Sequence, residues 1–196
     1  IYVVNYGVNL TQFMPHEKKE LSGPLKLLFT GNCSYRKGLH HLLAVVSKYD
    51  AKEVELYLAG GYESQSFLYK KYSVSSNIHF LGFITHDTLQ EVYANTEVFV
   101  LPSLAEGFAM VSLEALGAGL PVICTSNSGC NDIVENGKNG FVIEASDENA
   151  LKNRIDWFIL NKIRIPEMSD FARESVNHHS WDDYGNNLLN SLKTIM

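Results

Sequence analysis

Three cysteines (Cys33, Cys124, Cys130) in 196 residues are too few for a disulfide framework and lack the spacing of a metal knuckle. They read as reduced thiols of a cytoplasmic protein. Long apolar runs are missing as well. No stretch approaches the roughly 20 residues needed to span a bilayer, and no charged segment followed by an apolar one opens the chain. Positive charge is in deficit: 16 Lys and Arg against 22 Asp and Glu leave a net charge of -6. That balance disfavours a nucleic-acid module, which needs a basic face. There is no self-similar repeat and no low-complexity tract. What remains is ordinary globular composition, 45% hydrophobic and 19% charged.

From residue 25 the chain alternates short apolar runs with helix-like stretches. Leu25–Thr30, Val54–Ala59, Ile78–Phe83, Glu97–Pro102, Pro121–Thr125 and Gly140–Ile143 read as strands. Between them, Gly38–Tyr49, Ser64–Val74, Leu89–Ala94, Met110–Ala118 and a short piece at Gly129–Glu135 read as helices. Asp147 caps a longer helix reaching about Asn161, and Glu167–Met196 holds one or two more. Strands apolar on both faces and separated by helices indicate a parallel sheet covered on both sides. The fold class is α/β, a single Rossmann-like doubly wound domain with extra C-terminal helices. Residues 1–24, marked by Pro15, Gly23 and Pro24, fit the repeat poorly and read as an entry segment or linker.

In such a sheet, ligands bind beyond the carboxyl ends of the strands. The loop after the first strand, Gly31-Asn32-Cys33-Ser34-Tyr35-Arg36-Lys37-Gly38, is neither G-x-G-x-x-G nor G-x-x-x-x-G-K-[ST]. A nicotinamide dehydrogenase and a P-loop nucleotidase are therefore poorly supported. The loop still sets Arg36 and Lys37 beside a helix N-terminus, which suits phosphate, although a solvated basic turn would look the same. The loop after the fourth strand carries Glu106, then Gly107, where backbone can approach a ligand closely. A helix starting near Ala109 would aim the free N–H groups of Met110 and Val111 into the cleft. Glu114, about one turn further in, could accept both hydroxyls of a vicinal diol such as a ribose. By themselves, two glutamates eight apart say little.

Their surroundings say more. Pro102-Ser103, Glu106-Gly107-Phe108, Glu114-Ala115, Gly119 and Pro121-Val122 resemble the donor-binding motif of retaining glycosyltransferases of the GT-B fold, family 4. The resemblance covers nearly the whole chain. It includes the Gly31-to-Gly38 loop, Leu58-Ala59-Gly60-Gly61, Phe80-Leu81-Gly82, Gly129 with Asp132-Ile133-Val134, Gly137 to Gly140, and Ser180-Trp181. Gly7-Val8-Asn9 and Phe13 look like the family's inter-domain segment.

The resemblance implies transfer of a sugar from a nucleotide-diphosphate donor, such as a UDP- or GDP-sugar, to an acceptor hydroxyl in glycan or polysaccharide synthesis. It implies catalytic roles for Glu106, on donor sugar hydroxyls, and Lys37, on the departing diphosphate. Gly31, Asn32, Arg36, Gly107, Phe108, Ala109, Met110, Val111 and Glu114 would line the donor, with Gly82, Phe83 and Ile84 against the base. Neither cofactor nor essential metal is implied, and no D-x-D pair is present. The family often has arginine after the first glycine; here it is Asn32, and whether Arg36 compensates is open. The implied organisation is a crossing segment at 1–24, a nucleotide-sugar domain at 25–165, and helices at 166–196 packing towards an N-terminal domain outside this chain. That domain would present a glycan or lipid-linked acceptor, so the isolated chain is expected to bind nucleotide but turn over little. No nucleic-acid partner is expected. Whether a full-length protein associates peripherally with the inner face of a membrane stays open, because no basic amphipathic helix is present. A non-catalytic sugar-nucleotide-binding or scaffold module and a GT-B-fold epimerase remain the alternatives.

The histidines (His16, His79, His86 and the pairs His40-His41 and His178-His179) do not have chelating spacing and read as structural or surface groups. Cys124, Phe99, Phe141, Trp157 and Phe158 read as core. Cys130 follows Gly129 in a ligand-side loop, which leaves its reactivity open.

Overall fold

Six apolar runs become six strands because most of their side chains are buried, the run at Ile78–Gly82 on the sheet edge being half-buried beyond Ile78. In the computed structural model, which describes residues 4, 6–9 and 22–195, the order is β1 (Leu25–Thr30), α1 (Leu39–Val46), β2 (Val54–Ala59), α2 (Phe67–Tyr72), β3 (Ile78–Gly82) and α3 (His86–Asn95). Then come β4 (Val98–Leu101), α4 (Met110–Gly117), β5 (Val122–Thr125), β6 (Gly140–Ile143), α5 (Glu148–Leu160), α6 (Ile165–Glu174) and α7 (Trp181–Ile195). The sheet is wholly parallel, in the order β3-β2-β1-β4-β5-β6. This is the doubly wound α/β fold expected. The chain winds outward from β1 to β3, then returns to the other side of β1 for β4. The strand order therefore reverses between β1 and β4, where a doubly wound sheet opens its crevice.

Local chemistry sets the helix limits. Ser66, Thr85 and Asp147 cap α2, α3 and α5 by accepting from the backbone N–H groups of Tyr69, Thr88 and Ala150. The Ser66 cap starts α2 three residues later than its apolar pattern suggested. Fully buried Phe29, Phe99, Phe158 and the leucines of β1, α1, β2 and β4 fill the core. Phe141 is buried in it, and Trp157, standing edge-on to Phe141 with ring centroids 5.0 Å apart, is partly buried and packs against it.

One expectation changes. The short helix at Gly129–Glu135 does not form. A 3-10 turn at Ser126–Ser128 stands upstream and ends at Gly129 with φ +70°. Beyond it, the Asn139 side chain accepts from Glu135 N–H at 2.7 Å and donates to the Ile133 carbonyl at 3.0 Å. These bonds take the place of a helical ladder. The division at 165/166 falls at the first residue of α6, which packs on α4 and buries Ile165, Met168 and Ala172 in the same core. By contrast, α7 leaves Leu188, Leu189 and Leu192 exposed. Of the crossing segment, Phe13, Pro15 and His16 lie outside the described residues. Gly7 and Val8 are described: Val8 N–H donates to the His179 carbonyl at 2.7 Å.

Gly38 has φ +67°, and a Cβ there would overlap the Pro102 carbonyl oxygen. Gly38→Ala combines backbone strain with that clash, so it should destabilise the chain by about 2 kcal/mol or more. Urea unfolding monitored by circular dichroism would measure it, and an unchanged midpoint would refute the close approach.

Candidate functional site

The loops after β1 and β4 meet at the reversal point although about seventy residues separate them. Leu104 N–H donates to the Arg36 carbonyl at 2.9 Å, and Arg36 Nη1 donates to the Ala105 carbonyl at 3.1 Å. This stitching gathers three charged side chains. The Glu106 carboxylate lies 2.7 Å from Lys37 Nζ and 3.2 Å from Arg36 Nη1. Lys37 is largely covered, with 12% of its side chain exposed, whereas Arg36 reaches it from solvent at 60%. Burial alone would raise the Glu106 carboxyl, but the hydrogen bonds and charges of Lys37 and Arg36 outweigh it and hold the group below its ordinary value. An open cleft of about 450 Å³ is lined by Arg36, Leu104, Ala105, Glu106, Gly107 and Asn127.

The far side of the loop is fixed to β5. Glu106 N–H donates to the Asn127 carbonyl at 2.9 Å, and Ala109 N–H to the Ser128 carbonyl at 3.2 Å. Gly129 abuts the Gly107 carbonyl and Phe108 Cα so closely that a side chain there would collide. Ala109 is the N-cap of α4 and supplies no side-chain acceptor. The first-turn N–H groups of Met110 and Val111 therefore have neither an intrahelical nor a capping partner. Glu114 is half-buried one turn along. Burial raises its carboxyl, opposed by a hydrogen bond from the Tyr93 hydroxyl (3.5 Å) and by the charge of His86.

Gly31, with φ +124°, turns the chain out of β1, and Asn32 next to it is exposed. Gly82, Phe83 and Ile84 lie two strands away, at the end of β3. Gly60 N–H donates to the Gly82 carbonyl at 2.8 Å, and the Phe83 ring covers Gly61 while remaining 91% exposed. The proposed donor residues thus fall in three places: Gly31, Asn32, Arg36, Glu106 and Gly107 in the loops after β1 and β4, Phe108 to Glu114 at the start and first turns of α4, and Gly82, Phe83 and Ile84 at an aromatic shoulder after β3. Residues that the sequence reading missed are Asn127 and Ser128, which hold the Glu106 loop, and Tyr93 behind Glu114. They come from distant elements and carry no motif of their own.

Cys124 is fully buried, and Cys130, 2% exposed, donates its thiol to the Ser128 carbonyl at 3.5 Å. Burial closes both to solvent, while burial pushes the Cys33 thiol up to about 11. Among the described residues, no three His, Cys, Asp or Glu side chains converge as a metal site, and no helix is long and apolar enough to cross a membrane.

The sequence pattern of the family described as "Glycosyl transferases group 1" matches residues 12–175. The chain is 29% identical over 159 residues to the capsular polysaccharide biosynthesis glycosyltransferase CapM of Staphylococcus aureus, covering 77% of this chain and 39% of that protein. Sucrose-phosphate synthase of Thermosynechococcus elongatus superposes with a TM-score of 0.84 at 25% identity, over 98% of this chain and 52% of that one. Alr3699/HepE of Anabaena, solved in complex with UDP-glucose, superposes with a TM-score of 0.81 at 18% identity, over 98% of this chain and 57% of that one. The chain spans about half the length of the curated relatives it matches. Motifs, winding order and the family match over most of the sequence agree: the chain belongs to the group 1 glycosyl transferases.

Proposed function

We propose that this chain is the nucleotide-sugar-binding half of a retaining glycosyltransferase that acts in the cytoplasm in glycan or polysaccharide synthesis. The observation that carries the reading is the convergence of Glu106, Lys37 and Arg36 beside the uncapped N-terminus of α4, at the reversal point of the sheet. A diphosphate would take the first-turn N–H groups of α4 and compete with Glu106 for the two cations. Arg36 then serves where the family's arginine is replaced by Asn32. Glu106, released in part from its cations, would accept hydrogen bonds from donor sugar hydroxyls. Glu114 would accept those of the ribose.

Charge develops on the departing diphosphate as the glycosidic bond breaks, and preorganised donors stabilise it most in a site that excludes water. Lys37 meets that description, because its ammonium is largely covered and fixed by Glu106. The reading needs no essential metal, since two side-chain cations and a helix dipole supply the neutralising charge. UDP-glucose in the HepE structure supports a nucleotide sugar as ligand class. The acceptor, glycan or lipid-linked, and the other half of the cleft would come from an N-terminal domain, on which α7 would pack. The isolated chain would therefore bind nucleotide with little turnover.

Titration calorimetry with UDP, GDP and ADP, with and without chelator, tests the binding reading. One of them should bind in both conditions, and Arg36→Ala with Lys37→Ala together should weaken it about tenfold or more. Unchanged affinity in the double variant would sink the proposed diphosphate site. In the whole protein, Glu106→Ala should abolish most transfer while leaving the fold intact; an unchanged rate would favour a scaffold.

The ion cluster also predicts a pH effect. Because the folded-state carboxyl of Glu106 is lowered, its stabilisation is complete above the ordinary value of 4.5 and is lost as pH falls through the depressed value. Glu106→Gln should therefore cost stability at pH 7 and progressively less in acid, as read by unfolding midpoints at both ends. A pH-independent difference would contradict the pairing.

A further inference from the structure

An aromatic cluster outside the charged cleft joins three parts of the chain that are remote in sequence. The Tyr6 ring lies 6.0 Å from Phe108, 6.4 Å from Trp181 and 5.6 Å from Tyr184, centroid to centroid. Trp181 and Tyr184 meet edge-on at 5.8 Å. Tyr6 does not arrive there by chance packing of a loose side chain. Its neighbour Gly7 runs so close to Ser180 and Trp181 that a Cβ would sit 2.5 Å from the Ser180 carbonyl oxygen. Val8 follows, 3% exposed, with its N–H on the His179 carbonyl at 2.7 Å. The segment is thus seated against the corner between α6 and α7, and that seat aims the Tyr6 ring at Phe108.

Phe108 occupies the turn that sets the start of α4. From the β5 side this turn is held by Glu106 N–H on Asn127, Ala109 N–H on Ser128, and the close approach of Gly129. Among the described residues nothing stands within 4 Å of where a side chain at Gly107 would begin, and Ala109 contributes no cap. On the outer side the turn leans on the aromatic cluster. We infer that Tyr6 is a positioning residue: with Trp181 and Tyr184 it holds Phe108, and through Phe108 it holds the first-turn N–H groups of α4 in the geometry that receives a nucleoside diphosphate. The inference rests on the proposed donor site and adds a link from the crossing segment and α7 to that site.

The test is calorimetric affinity for UDP, GDP and ADP in the parent chain, Tyr6→Ala, Tyr6→Phe and Tyr6→Leu, with the double variants carrying Phe108→Leu. Aromatic pairs of this kind correspond to about a two- to tenfold change in an equilibrium constant. Tyr6→Ala should weaken the nucleotide that the parent binds by that factor. Tyr6→Phe should restore it, since the ring makes the contacts and Tyr6 is 47% exposed. In the Phe108→Leu background the Tyr6→Ala effect should disappear. Tyr6→Leu keeps bulk over the seat and tests the ring if the alanine variant does not fold. Parent-like affinity in both Tyr6→Ala and Tyr6→Leu overturns the inference. So does a loss in Tyr6→Phe equal to that in Tyr6→Ala, or a loss unchanged by Phe108→Leu. A parent chain that binds none of the three nucleotides overturns the donor site itself, a separate result.

Discussion

The backbone after β1 passes against the carbonyl of Pro102, and the rest of the site depends on that approach. Gly38 makes it possible, because it has a left-handed conformation and no side chain to hold the loops apart. Once the loops touch, their hydrogen bonds are short and local: Leu104 to Arg36, and Arg36 to Ala105. The charged triad follows as a consequence. A carboxylate eight residues before Glu114 and two cations that precede it by 70 residues or nearly so share one small volume because β1 and β4 are neighbours. The winding order is thus the cause, and the ion cluster its effect.

That cluster also resolves the tension between an acidic chain and an anionic ligand. The net charge is -6, which at long range would repel a diphosphate. Long-range repulsion is screened over about 8 Å at physiological salt, whereas a covered ammonium and a helix N-terminus act at contact distance. In the proposed donor site the local arrangement would decide binding, and the global sum would affect chiefly the approach.

The fold was legible because its signals are one-dimensional. Strands buried on both faces must be continuous apolar runs, and all six appear within a residue or two of their observed limits. Helix ends were less legible. The Ser66 cap competes with a longer apolar pattern, and at Gly129–Glu135 the Asn139 side chain takes backbone bonds that a helix would need. The site was legible only through its motif. Glu106, Lys37 and Arg36 could be picked out residue by residue, but their mutual contact could not, because it depends on the neighbouring of β1 and β4. Tyr93, Asn127 and the Tyr6–Phe108 contact left no local trace. Each is an ordinary residue made useful by an element that arrives from elsewhere.

The two glutamates end in opposite electrostatic situations. Glu106 is held low by cations that satisfy it before any ligand arrives. Glu114 is raised by burial and only partly compensated by Tyr93 and His86. An anion already paired exchanges partners at little net cost, so Glu106 suits a position where contacts must be remade during a reaction. An anion short of donors gains most from new hydroxyls, so Glu114 suits a position where a diol is to be held throughout. The motif separates the two glutamates by role but not by environment. The loop contact on one side and the half-buried helix face on the other give them the different electrostatics that the proposed roles would use.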